Sequence, residues 1–287
     1  MKCLIAGYRL ELTGDCSTVL SEQLKEYEKA FVCADMVITY KVFDEIELNH
    51  HEDDVVGAGR FSWHIDNSDG SVCAYTYSES YDICLAKIIW NKEFNHADIY
   101  AKDTSLIGGP SIDLKLFGLV GQAFYYMLMM HHAYVIHASA ISYKGNAVLF
   151  SAPSGTGKST QTSLWKSIFD EVVYINDDNP VMRIIDGDVY VYGTPWSGKN
   201  FINNNIVAKL AGIICIEQYE RIEITLLDGA AAFFRLYNEI NKPVLEHMVD
   251  IFLDDLNKLI DVANVYLMKC NISEETVYLV KDILSLD

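Results

Sequence analysis

The sequence predicts a mixed α/β protein in two parts: a mainly β, α+β region over residues 1–110 and a mixed-sheet α/β domain over 111–287. Three observations carry this. Alternation with a period of two runs through the first part. Near Gly108-Gly109-Pro110 the pattern changes to a long apolar stretch. A glycine-rich loop at Ala152–Ser159 then stands between an apolar strand and a helical pattern.

The elements follow in order. Met1–Arg9 has a short apolar patch, too short for a secretory signal, and reads as a first strand. A short helix is expected within Cys16–Ala34, where Leu20, Leu24, Tyr27 and Phe31 fall on one side. Ser71–Tyr77 and Asp82–Trp90 alternate as strands, and Asp66-Asn67-Ser68-Asp69-Gly70 is a turn signal, so mostly antiparallel hairpins are expected. Leu114–His131 reads as a buried helix ending on His131-His132, which suits the helix dipole. Strands are expected at Val135–Ser142 and Ala147–Ser151, joined by a turn at Lys144-Gly145-Asn146. After the loop come a helix over Ser159–Phe169 and a strand over Val172–Asn176. A hairpin follows, Val181–Ile185 with Val189–Tyr192 around Asp186-Gly187-Asp188. Leu210–Glu217 and Val265–Met268 read as strands, Gly229–Ile240 and Val244–Leu259 as helices, and Ser273 as the cap of a last helix.

Apolar residues make up 51% and charged residues 22% of the 287, enough for a proper core and against disorder. The net charge of −18 repels nucleic acid and acidic lipid, and no apolar run reaches membrane-spanning length. Neither partner is expected. The seven cysteines stand singly, with no CxxC spacing, and read as reduced buried thiols of a cytoplasmic protein. An anionic ligand therefore needs a local island of N–H groups and cations.

Ala152-Pro153-Ser154-Gly155-Thr156-Gly157-Lys158-Ser159 supplies such an island. It fits the Walker A pattern with alanine for the first glycine. Gly155 and Gly157 let the backbone curl so that N–H groups point at phosphate oxygens. The helix that follows adds its N-terminal dipole. Ser154, Gly155, Thr156, Gly157, Lys158, Ser159 and Thr160 are thus the nucleotide-binding candidates. Lys158 reaches the β- and γ-phosphates, and the Ser159 hydroxyl is placed to ligate Mg²⁺. The competing reading is a chance glycine turn before a helix. Asp177 and Asp178 end a strand 19 and 20 residues after Lys158. In P-loop proteins such a strand runs beside the first and delivers an acid to the metal. One carboxylate can hold Mg²⁺ while the other deprotonates an attacking hydroxyl; a solvated turn is the alternative. His137 precedes Lys158 by 21 residues and is also compatible with an ordinary core histidine. Asn49-His50-His51-Glu52-Asp53-Asp54 is either a metal-binding run or a polar loop.

His137-Ala138-Ser139-Ala140, Ser154–Thr160 and Asn176-Asp177-Asp178 together resemble the kinase domain of HPr kinase/phosphorylase, which has a phosphoenolpyruvate-carboxykinase-like P-loop fold. The resemblance covers roughly residues 114–287 and is concentrated at 137–178. It implies an ATP- and Mg²⁺-dependent kinase acting on a serine-type hydroxyl of a peptide, protein or small molecule. In that scheme Lys158 and Ser159 bind phosphate and Mg²⁺. Asp177 is the general base, Asp178 its charge partner or a metal ligand, and His137 a neighbour of the pair. The bifunctional enzymes carry an acid and an arginine before a Gly-Ile-Ile strand. Val207–Ile214 lacks both here, so a second metal ligand and phosphorylase activity are not implied.

Gly193–Asn200 is rich in glycine and polar donors. Lys199 offers a second cation and Trp196 a wall for the acceptor, unless the segment is a structural loop with Trp196 in the core. The acceptor site is expected between the acidic pair and this loop, with the N-terminal region closing it. Two alternatives stand beside the kinase. One is a P-loop ATPase or nucleotide-binding partner protein, the other a carboxykinase-type decarboxylase. The few arginines weigh against the first and chain length against the second. Donor choice among ATP, ADP, GTP and pyrophosphate, and assembly as a homo-oligomer, stay open.

Overall fold

The computed structural model describes residues 1–47, 55–56, 62–65, 69–78 and 80–287. The histidine-rich run at 49–54 and most of the turn at 66–70 lie outside them. The chain is mixed α/β and divides into two compact units.

The first unit comprises Met1–His131 with Pro243–Val249. Its elements are β1 (Lys2–Ile5), β2 (Tyr8–Gly14), α1 (Thr18–Gln23), β3 (Met36–Val42), β4 (Val55–Val56), β5 (Ser62–Ile65), β6 (Val72–Ser78), β7 (Ile83–Trp90), β8 (His96–Ala101) and α2 (Ile112–Met130). Among the described residues they form one sheet in the order β1-β2-β3-β8-β7-β6-β5-β4. From β4 to β8 it is the expected run of antiparallel pairs. The pairs β2/β3 and β3/β8 are parallel, the exceptions to the mostly antiparallel pairing expected. The α1 segment carries the chain from β2 to a parallel β3, a crossover that alternation alone does not reveal.

Ser17 caps α1 by accepting from Leu20 N at 3.3 Å. Leu20, Leu24 and Tyr27 are buried, but the helix ends at Gln23 and Phe31 lies beyond it. The α2 helix packs on β3, β7 and β8, and Trp90 Nε1 donates to its Ala123 carbonyl at 3.1 Å. Trp63 stacks on Trp90 at 5.4 Å, with Tyr126 against both. This packing groups α2 with the N-terminal sheet, so the units divide after His131 rather than at residue 110. Among the described residues no helix is long and apolar enough to cross a membrane. Four cysteines are buried as expected, but Cys16 and Cys33 are exposed and Cys73 is half-buried.

The second unit comprises His132–Lys242 and Asp250–Asp287. It contains β9 (Ala133–Val135), β10 (Ala138–Tyr143), β11 (Asn146–Ser151), α3 (Lys158–Ile168), β12 (Val173–Asn176), β13 (Val181–Ile185), β14 (Asp188–Tyr192), β15 (Val207–Gln218), β16 (Glu223–Leu226), α4 (Gly229–Glu239), β17 (Val265–Cys270) and α6 (Glu275–Ile283). The remaining helix, α5 (Glu246–Val262), gives its first residues to the first unit. The sheet runs β12-β10-β11-β15-β14-β13-β9, with β17 parallel to the second half of β15 and β16 beyond it. The β10/β11 and β13/β14 turns place Lys144-Gly145 and Asp186-Gly187 at positive φ, the tight hairpin geometry that these residues tolerate. On one face Val148, Phe150, Ile214 and Met268 pack with Trp165 of α3 and with Val277 and Val280 of α6.

A buried carboxylate also ties this unit together. Asp255 accepts from Tyr134 Oη at 2.6 Å and Lys258 Nζ at 2.9 Å, and lies 2.6 Å from His132 Nδ1. Burial raises its pKa, but these three partners together outweigh burial and hold it below the ordinary 3.8. A depressed Asp pKa stabilises above the ordinary value and loses that stabilisation as pH falls through the depressed one. Asp255→Asn is therefore expected to cost about 2–3 kcal/mol near neutral pH. In thermal melts the gap to wild type should hold down to about pH 4 and close below it.

Candidate functional site

The site grows from the end of β11. After Ser151 the chain turns through Ala152-Pro153-Ser154 and curls at Gly155 (φ +81°) and Gly157 (φ +120°) into α3. A Cβ built at either glycine meets nothing within 4 Å, so backbone conformation and not crowding demands glycine there. The first N–H groups of α3 have no partner within the helix and point toward that end. Gln218 Nε2, at the end of β15, donates to Thr156 O at 3.1 Å and pins the loop from the side. Lys158, Gln161, Thr162 and Trp165 form the buried face of α3 at the helical spacing.

Lys158 is only 7% exposed. Its Nζ donates to Ala152 O at 2.7 Å and lies 3.1 Å from His137 Nε2. Burial lowers its pKa, opposed by Glu239 first and then by Asp178 and Asp177.

His137 is not within a strand, as the sequence suggested, but in the gap between β9 and β10. Its N–H donates to Glu239 O at 2.8 Å, and its carbonyl accepts from Ser151 Oγ at 3.1 Å. The ring lies between carboxylates, with Nε2 3.4 Å from Asp178 Oδ1 and Nδ1 3.2 Å from Glu239 Oε2. Asp178 and then Glu239 push its pKa up to about 9, against burial and the Lys158 charge. An Nε2 that carries a proton cannot also accept from Lys158. We take the imidazolium form, held by the two carboxylates, with Lys158 anchored on Ala152 O. Two cations and two carboxylates then face one another beside the loop.

The acidic pair is set by Asn176, which is 0% exposed at the end of β12. Its Oδ1 accepts from Asp178 N at 2.8 Å and Asn179 N at 2.7 Å, and its Nδ2 donates to Thr194 O at 2.8 Å. A side chain that mimics backbone in this way fixes the turn. Asp177 Oδ1 accepts from Ser139 Oγ at 2.5 Å, and Asp178 Oδ2 accepts from Asn179 Nδ2 at 2.7 Å. The strand β12 does not lie beside β11, as expected of a P-loop strand. It pairs antiparallel with β10, which pairs antiparallel with β11. It therefore runs parallel to β11 one strand removed, and still ends on the same side of the sheet.

The 193–200 segment passes against this pair. A Cβ at Gly198 (φ +77°) would lie 3.2 Å from Asp178 Cβ. At Gly193 a Cβ would come within 1.9 Å of Asn204 O, so only glycine fits. Trp196 is 6% exposed, with its carbonyl 3.5 Å from Asn176 Nδ2. Lys199 is exposed and makes no ion pair among the described residues.

Sequence reasoning missed Glu239, Arg235 and Gln218, and assigned no role to Asn176 or Ser139. Arg235 is ion-paired to Glu217 of β15 and lies one helical turn before Glu239. The i, i+4 spacing on α4 was the available signal, but nothing local says what that face meets. On the other flank of the loop is a cleft of about 850 Å³, lined by Gly155, Thr156, Gln161, Ile216, Tyr219 and Ile272 among others.

The donor set suits a phosphate chain with a divalent cation: loop N–H groups, a buried lysine, the exposed Ser159 hydroxyl and a carboxylate pair. No family model and no curated protein matches the chain. Among solved structures it is similar to the Hpr(Ser) kinase/phosphatase from Coxiella burnetii, with 11% identity and a TM-score of 0.32. That similarity covers 53% of this chain and 93% of the other, and at these values it carries no argument.

Proposed function

We propose that the second unit is a phosphotransferase that moves the γ-phosphoryl group of ATP to a hydroxyl of a peptide, protein or small molecule. One observation carries the reading. Lys158 Nζ lies 3.1 Å from His137 Nε2, itself 3.4 Å from Asp178 Oδ1, so the loop's cation and the acidic pair share one place. The loop N–H groups and Lys158 neutralise the phosphate chain and the charge that develops on it. Asp177 takes the proton of the acceptor hydroxyl. That oxygen bonds to the γ-phosphorus as the bond to the β–γ bridging oxygen breaks and ADP leaves. Ser139 donates to one oxygen of Asp177 and orients the carboxylate, so the other oxygen can receive the proton. His137, held by Glu239, positions Asp178 and offsets its charge. Mg²⁺ held by Ser159 and Asp178 would supply further charge neutralisation at the β- and γ-oxygens. Such a reaction belongs in the cytoplasm, where exposed Cys16 and Cys33 stay reduced.

The competing reading is acceptor-free ATP hydrolysis driving assembly with a partner. γ-Labelled ATP offered with free serine and serine-containing peptides separates the two. Label carried onto an acceptor supports transfer. Label released only as inorganic phosphate, at a rate indifferent to acceptor, would rule it out. Lys199→Ala serves as a second arm. It is expected to raise the acceptor KM about tenfold, as for loss of one charge contact, with ATP affinity unchanged. A loss confined to ATP affinity would make Lys199 a nucleotide ligand.

A further inference from the structure

The glycine-rich loop has two flanks, and sheet order keeps them apart. On one side of β11 are β10 and β12, which bring the acidic pair. On the other are β15 and β17, whose ends wall the cleft of about 850 Å³. Its floor is settled. Ile216 and Cys270 are buried, and Gln161 accepts from Thr276 Oγ1 at 2.9 Å and donates to Cys270 Sγ at 3.7 Å. Its lips are not covered in this way. Tyr219 is 50% and Ile272 74% exposed. Both stand on tied backbone: Tyr219 N donates to Cys270 O at 2.9 Å, and Asn271 Nδ2 donates to Glu220 O at 3.3 Å. Lys269 Nζ lies 5.7 Å from the Tyr219 ring and helps to hold it.

We propose that this cleft takes the nucleobase of the phosphoryl donor, between Tyr219 and Ile272, so that the donor is a nucleoside triphosphate and not pyrophosphate. This rests on reading the loop as the phosphate site. With the transferring group at the acidic flank, a phosphate chain threaded through the loop leaves its α-phosphate and nucleoside on the opposite flank. A planar, uncharged heterocycle covers two large exposed apolar side chains and gains stacking on the tyrosine. Glu220 at the same lip repels a free phosphate and leaves an uncharged base unaffected. The volume lies in the range of ordinary small-molecule sites.

Calorimetric titration of the full chain with MgATP and with magnesium tripolyphosphate tests this, for wild type, Tyr219→Ala and Ile272→Ser. Both substitutions are at exposed positions and spare the core. The expected result is that wild type prefers MgATP, and that Tyr219→Ala weakens MgATP roughly tenfold, the worth of one stacking contact. Ile272→Ser should weaken it less, and tripolyphosphate should bind all three proteins alike. If MgATP and tripolyphosphate bind wild type equally and neither substitution matters, the cleft assignment is overturned while the loop's stands. If neither ligand binds wild type, both fall.

Discussion

Lys158→Ala is expected to lower phosphoryl transfer by about 10²–10³-fold, the effect of losing one preorganised donor to developing charge, or about 3–4 kcal/mol. The side chain has two jobs. In the proposed reaction it is the loop's cation toward phosphate. It also neutralises Glu239, Asp178 and Asp177, which are the charges that oppose its burial. Removal leaves Asp178 and Glu239 facing His137 alone, leaves Asp177 without that nearby cation, and takes the Nζ partner from Ala152 O. Some loss of stability is therefore expected as well, and thermal melts must accompany the kinetics. Lys158→Met keeps the apolar stem and separates lost charge from lost packing. Near-normal turnover in either purified, folded variant would show that the loop does not bind the transferring phosphate.

Asp177→Asn is expected to lower transfer by about 10²–10⁴-fold, the usual worth of a positioned general base, while MgATP binds as before. The amide oxygen can still accept from Ser139 Oγ, so the geometry survives and only basicity is lost. Asp178→Asn is expected to do something different. It weakens the dependence on Mg²⁺ and removes one of the two carboxylates that hold His137 charged. Calorimetric titration with MgATP, run beside turnover at graded Mg²⁺, distinguishes the two. Lost MgATP binding in Asp177→Asn, with transfer intact in Asp178→Asn, would exchange their roles.

The elements legible in the sequence are those made by neighbours in the chain. The two-residue turns at Lys144-Gly145 and Asp186-Gly187 announce themselves because few residues tolerate positive φ. The last helix is read to within two residues from Ser273, whose Oγ accepts from Glu275 N at 3.2 Å. By contrast β16 at Glu223–Leu226 was not seen, because it is short and mostly exposed and exists by pairing with β17. The parallel β2/β3/β8 pairings were missed because strand direction is a property of the crossover and not of the strand. The helix expected over Leu114–His131 spans Ile112–Met130, and it belongs to the first unit rather than to the second part. Its apolar pattern says that it is buried but not against which sheet.

The candidate site divides along the same line. The sequence by itself determined the glycine-rich loop, its lysine, the helix that follows and the acidic pair at a strand end. Each depends on backbone conformation or on spacing within some twenty residues. Only the tertiary structure decided what surrounds them. Glu239 reaches His137 across 102 positions, and Gln218 reaches Thr156 across 62. Asn176 owes its role to Thr194, 18 residues away in another loop. Contacts of this kind leave no period in a sequence. They arise where sheet order brings the ends of distant strands together, and burial then forces each polar group there to find a partner.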